Sequence, residues 1–149
     1  MPKLLTVIIP CYNEEENIKY FYEEFCKNDA YFLKHAIMYQ LIFVDDGSTD
    51  KTATEIKNLH QKDKRIKLIS FSRNFGKEAA IYAGLEHASG NLVAVMDVDL
   101  QDPPSLLPQM IDEIFAGADQ VVARRIARKG EPRIRSWFAK LFYKILNCF

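Results

Sequence analysis

The sequence is short of the features that mark several common protein classes. It holds three cysteines, Cys11, Cys26 and Cys148, with no Cys-x-x-Cys pair and no Cys/His ligand spacing. That excludes a disulfide framework and a structural zinc site, and it predicts a reduced, intracellular chain. No apolar run approaches the roughly 18 residues needed to cross a bilayer. The opening "MPKLLTVIIP" is too brief in its apolar part for a signal peptide. Gly-x-x-x-x-Gly-Lys-Ser/Thr, Gly-x-Gly-x-x-Gly and Gly-x-Ser-x-Gly are all missing. P-loop, dinucleotide-binding and serine-hydrolase readings therefore lack their signatures. His35, His60 and His87 fall on predicted helices and read as surface or core-edge residues, not as ligands or bases. Cys11 falls at a strand end, but nothing near it in sequence would activate a thiolate, so packing is its expected role.

What is present is enough for one folded domain. Of 149 residues, 48% are hydrophobic and 12% aromatic, too apolar for a disordered chain. Net charge is formally zero but uneven. Residues 120–149 carry eight basic side chains against one acid, Glu131, giving +7, so residues 1–119 carry −7. A basic end of this kind points to an anionic partner: a phosphate, a nucleic acid or a membrane surface.

Strand and helix patterns alternate along the chain. Leu4–Pro10, Gln40–Asp46, Ile66–Ser72, Asn91–Asp99 and Asp119–Arg125 are apolar runs of strand length. Between them, a helix runs from about Glu14 into the thirties with Ile18, Phe21, Tyr22 and Phe25 on one face. A second is capped by Ser48 or Thr49 and carries Ala53, Ile56 and Leu59. "KEAAIYAGLEHA" is a third, ending near Gly90. Leu106, Leu107, Met110, Ile111, Ile114 and Phe115 form the stripe of a fourth. The expected fold is an open, mostly parallel, Rossmann-like α/β sheet. Ligands in such sheets sit beyond the carboxyl ends of the strands. The polar clusters "CYNEEEN", "DDGSTD", "SRNFGK", "DVDLQD" and "RR" all fall there.

Two of these clusters suggest chemistry directly. If Asp97 and Asp99 are strand residues, they point to one face and can converge on a cation. Oxygen ligands suit Mg²⁺ or Mn²⁺, with Gln101 adding a carbonyl oxygen. Asp102 before Pro103 and Pro104 reads as a turn and helix start. Asp45 and Asp46 face opposite ways, so one is expected to take a ligand hydroxyl or base and the other to cap the following turn. The end of the chain sets Ile134, Trp137, Phe138, Leu141, Phe142, Ile145, Leu146 and Phe149 at helical spacing, with basic residues off that stripe. Such a helix lies in a membrane interface or packs on the sheet. Nothing in it resembles a nucleic-acid-binding pattern.

Taken in order, "VIIPCYNEEENI", "FVDDGSTDKT", "SRNFGKEAAIYAGLEHASGN", "MDVDLQDPP" and "GADQVVARR" resemble the inverting, A-fold glycosyltransferases of family two. More narrowly they resemble the polyprenyl-phosphate hexosyltransferases, the bactoprenol glucosyltransferase branch above all. The resemblance runs from about residue 4 to 147. It implies that Pro10, Tyr12, Asn13 and Glu14 line the nucleotide, with Val44 and Asp46 near its base and Gly76 and Lys77 on a nearby loop. It implies that Asp97, Val98 and Asp99 contact the nucleotide sugar, that Asp97, Asp99 and Gln101 hold Mg²⁺ or Mn²⁺, and that Arg125 meets the donor diphosphate. Asp97, Asp99 and Arg125 are the implied catalytic residues.

By the same resemblance, residues 1–130 form the nucleotide-sugar-binding domain and 131–149 the basic amphipathic helix. The implied reaction carries a hexose, glucose from UDP-glucose, to a polyprenyl phosphate. Transfer to a saccharide hydroxyl, or nucleotide-sugar binding without turnover, are the alternatives. The implied setting is cytoplasmic, at the inner face of a membrane reached through residues 133–149, with a homo-oligomer as a further partner and no nucleic acid. Family members continue past the length of this chain, so a sheet cut short on its C-terminal side is expected.

Overall fold

The computed structural model describes residues 3–123. Arg125 and the stretch 131–149 lie outside the described residues.

The apolar runs become four strands: β1 (Lys3–Cys11), β2 (Ile37–Asp45), β3 (Ile66–Ser70) and β4 (Leu92–Val95). They form one sheet in the order β3-β2-β1-β4, every neighbouring pair parallel. β1 and β2 lie in the centre and are buried on both faces, as their unbroken apolar sequences require. The buried polar side chains in these strands find partners across the sheet: the Gln40 amide donates to the hydroxyls of Thr6 (2.8 Å) and Ser89 (3.1 Å).

Helices α1 (Asn17–Cys26), α2 (Asp29–Lys34), α3 (Thr52–Lys62), α4 (Lys77–Glu86) and α5 (Leu107–Phe115) join and cover the strands. The larger core joins Val7, Ile9 and Phe43 of the sheet to Ile18, Phe21 and Phe25 of α1, Ile56 of α3, and Leu107 and Ile111 of α5. The opposite face carries α4 on a smaller cluster of Ile8, Ile42, Val44 and Ala80. α4 approaches β1 closely. A Cβ on Gly84 would stand 2.3 Å from the Ile8 side chain, so only glycine permits this packing distance.

Four expectations change. The single long helix after β1 is two, because Asn28 is buried at the break and its amide donates to the carbonyls of Phe25 (3.2 Å) and Pro104 (3.1 Å). α3 starts at Thr52, with Asp50 accepting from the Thr52 amide at 2.9 Å; the hydroxyl of Ser48 and the amide and hydroxyl of Thr49 bond to Asn13 instead.

β4 ends at Val95, not Asp99. The Met96 N–H still reaches the Ile8 carbonyl at 3.0 Å. In that register the next donor to β4 would be the N–H of residue 10, which is proline and has none. The neighbouring strand, not β4's own sequence, ends the ladder.

The predicted fifth strand is not formed in its described part. Asp119–Ala123 carry no strand, although they line a groove with Val93, Val95 and Met96 of β4 and its end. Arg124 and Arg125 lie outside the described residues.

Candidate functional site

The loops after β1, β2, β3 and β4 gather at the carboxyl edge of the sheet, and nine of the singled-out residues meet there. Pro10, Tyr12, Glu14, Asp46, Gly76, Lys77, Asp97, Val98 and Asp99 line one open cavity of about 330 Å³. Cys11, Asn74 and Ala80 complete its wall. Asn74 sits inside the "RNFGK" loop, which was the only sequence signal for it. Ala80 is one turn into α4 and carried no signal.

The first two loops are held together by reciprocal hydrogen bonds. The amides of Asn13, Glu14 and Glu15 donate to Ser48 Oγ (2.9 Å), Thr52 Oγ1 (2.8 Å) and Asp50 Oδ2 (3.2 Å). In return the amides of Thr49 and Lys51 donate to Asn13 Oδ1 (2.9 Å) and Glu15 Oε2 (2.8 Å). Asn13 adopts a left-handed backbone (φ 54°), a conformation asparagine tolerates better than most residues. It is part of this clasp and does not line the cavity. Glu14 does; its Oε2 accepts from the Asn17 side chain at 2.6 Å, which directs the carboxylate.

Asp45 and Asp46 divide their work. Asp45 Oδ1 accepts from the Ser48 amide (3.0 Å) and Oδ2 from the Ser70 hydroxyl (3.1 Å), which closes the turn after β2. Asp46 Oδ1 accepts from the Phe75 amide (2.7 Å) and Oδ2 from the Gly76 amide (2.9 Å). Asp46 thereby anchors the loop that leads into α4. Val44 is fully buried against α4, and the Cys11 thiol contacts its carbonyl at 3.5 Å. Burial, reinforced by the charge of Asp45, pushes the Cys11 thiol far above its ordinary value, so it stays protonated as a wall.

Gly47, in the second loop, lets the third loop pack directly against it. Its φ is +70°, and a Cβ there would fall 2.4 to 2.8 Å from the Arg73 backbone. Gly47→Ala adds a left-handed penalty of about 1–2 kcal/mol to the overpacking of a backbone that cannot rotate away. The expected result is a melting temperature lower by roughly 5–15 °C, measured by differential scanning calorimetry, with weaker ligand binding because the 73–77 loop shifts.

Past β4 the chain turns through Leu100, a non-glycine residue at φ 58°. The Val98 side chain is buried in the larger core, 3% exposed, between Asp97 and Asp99. Asp97 is therefore half-buried and paired with Lys77, Nζ to Oδ1 at 2.6 Å. Asp99 is exposed, and its Oδ1 accepts from the Gln101 amide at 3.0 Å. The two carboxylates share the cavity because a core residue pins the turn between them, not because they lie on one face of a strand. Gln101 does not line the cavity. Among the described residues, no three His, Cys, Asp or Glu side chains are grouped to hold a metal. The donors at hand are nevertheless hard oxygens, which suit Mg²⁺ or Mn²⁺ sites completed by water and substrate phosphate.

The histidines stand apart from this edge. His60 Nδ1 contacts the Ile66 carbonyl (2.6 Å), His87 Nδ1 the Ala83 carbonyl (2.8 Å), and His35 lies against Tyr31 with ring centroids 4.1 Å apart and planes tilted by 32°.

An open parallel sheet with acidic loops over its carboxyl edge is an α/β architecture that places ligands at that edge. Residues 6–148 match the pattern of glycosyl transferase family 2, and the chain belongs to that family. The bactoprenol glucosyl transferase of Shigella phage SfV is 41% identical over 146 residues, covering 96% of this chain and 46% of that protein. The chain spans less than half the length of the curated relatives it matches. A solved structure of the mannosyltransferase PcManGT from Pyrobaculum calidifontis, in complex with GDP-Man and Mn²⁺, shares the fold. Its TM-score is 0.61 at 24% identity, over 74% of this chain and 31% of that one. S. aureus TarS 1-349 in complex with UDP aligns with a TM-score of 0.55 at 26% identity, over 73% of this chain and 32% of that one. No helix among the described residues is long and apolar enough to cross a membrane.

Proposed function

We propose that this chain binds a nucleotide-diphosphate sugar, UDP-glucose in the first instance, and passes the hexose with inversion to a polyprenyl phosphate at a membrane surface. The observation that carries the reading is the meeting of Asp97, Asp99, Lys77 and Glu14 in one cavity at the carboxyl edge of a parallel sheet. The relatives named bactoprenol glucosyl transferase support the glucose donor and the lipid acceptor. The UDP complex of TarS supports a nucleotide as a ligand of this fold.

In this reading Asp97 and Asp99 would hold Mg²⁺ or Mn²⁺, which would neutralise charge on the departing nucleoside diphosphate, while Gln101, outside the cavity lining, steadies Asp99 through its backbone amide. Pro10, Tyr12 and Glu14 form the wall against which the nucleotide lies. Lys77, and Arg125 beyond the described residues, add positive charge toward the leaving group. The bond from the anomeric carbon to the diphosphate oxygen breaks as an acceptor phosphate oxygen bonds to that carbon from the opposite side. A phosphate monoester is already ionised near neutral pH, so the attack needs no strong base, in keeping with histidines that lie elsewhere. The basic stretch 133–149 would hold the chain at an anionic membrane where the phosphate headgroup lies.

Isothermal titration of the chain with UDP-glucose, GDP-mannose and UDP, with and without Mn²⁺, tests this. The expected outcome is Mn²⁺-dependent binding of UDP and UDP-glucose, tighter than GDP-mannose. Absence of binding to every nucleotide would end the proposal.

A further inference from the structure

The cavity is lined by four carboxylates, Glu14, Asp46, Asp97 and Asp99, and among the described residues by a single basic side chain, Lys77. Its placement is tightly arranged at one end and loose at the other. The backbone just before it is fixed by the two amide bonds to Asp46, and Gly76 turns the chain at φ +99° to start α4 at Lys77. The side chain then leaves this anchored base and reaches Asp97, which also lines the cavity, at 2.6 Å. It remains 53% exposed, so the ammonium is free to move on its four-carbon stem.

We propose that Lys77 is a resident counter-ion that exchanges partners: it neutralises Asp97 while the cavity is empty, and transfers to the donor's diphosphate when a divalent cation takes Asp97. The inference rests on the metal-dependent donor binding proposed above. Like charges crowded in one cavity disfavour each other, and a cation already present relieves that cost. A divalent ion on Asp97 draws on the carboxylate's charge and repels an ammonium held beside it, so the two compete for Asp97. Displacement frees a point charge beside the place where the leaving group's charge develops, at the moment the donor arrives with its metal. A residue that only stabilised the fold, or only bound donor, would not oppose the cation.

The exchange predicts effects of opposite sign from one substitution. Mn²⁺ binding to the full chain is read at low salt from the electron paramagnetic resonance signal of free Mn²⁺, and UDP binding at saturating Mn²⁺ by calorimetry. Lys77→Gln is expected to tighten Mn²⁺ alone by about two- to fivefold, the scale of an exposed ion pair. The same variant is expected to weaken UDP by roughly ten- to a hundredfold, the scale of a lost charged hydrogen bond. Lys77→Arg should restore both values to near wild type, and Asp97→Asn should lose Mn²⁺. Unchanged or weaker Mn²⁺ binding in Lys77→Gln overturns the exchange and leaves the proposed function standing. A wild-type chain that binds neither Mn²⁺ nor UDP overturns both.

Discussion

Asp99→Ala is expected to lower the affinity for UDP in the presence of Mn²⁺ by about a hundredfold or more, with almost no change in stability. The two halves of that expectation come from different features. Asp99 is exposed, and within the protein its carboxylate accepts from the Gln101 amide in a local turn. Losing such a contact at the surface costs about 0.5 kcal/mol or less, a shift of at most about 2 °C in melting temperature. Toward a ligand the same carboxylate is one of two that a divalent ion would find at the end of β4. Removing it takes away half of the protein's charge at that place, and such an ion stabilises phosphate charge by several kcal/mol. Calorimetry with UDP and Mn²⁺, set beside a thermal melt, checks both. UDP affinity unchanged by Asp99→Ala would remove Asp99 from the cation and leave Asp97 to be explained by Lys77 alone.

Phe25→Ala is expected to have the largest effect on folding. Its ring is fully buried where α1, α2 and β2 meet, with Tyr39 at 5.0 Å edge-on, Phe32 at 5.6 Å and Phe21 at 6.3 Å between centroids. The neighbours come from three elements and cannot all move in to fill the space. Truncating a buried phenylalanine in such a setting costs about 3–5 kcal/mol, or roughly 6–20 °C in melting temperature for a chain of this size. Urea unfolding should show a lower midpoint with little change in slope. A loss below 1 kcal/mol would mean that α1 and α2 do not pack as described.

The element order was legible in the sequence because its signals are local. Apolar runs bounded by polar loops place β1, β2 and β3 within a few residues, and the stripe of Ile18, Phe21 and Phe25 is the buried face of α1. The acidic loops were legible as a group for the same reason: alternating strands and helices bring every other connection to one edge. Individual roles were less legible. Asp97 and Asp99 do share the cavity, but the strand geometry argued for them is not there. The family resemblance implied Asn13 and Val44 as ligand contacts; in the fold Asn13 ties two loops together and Val44 is buried under α4.

By itself, then, the sequence determined a parallel α/β sheet with its acidic loops along one edge, because those depend on hydrophobic period and chain order. Only the tertiary structure decided which side chains meet there. Pro10, on one strand, ends the ladder of another. Asp46 holds a loop 29 residues away through the Phe75 amide. Lys77 pairs with Asp97, which lines the same cavity. Each of these depends on a partner brought close by folding, and a side chain's charge or missing N–H has no stated consequence until that partner is in place.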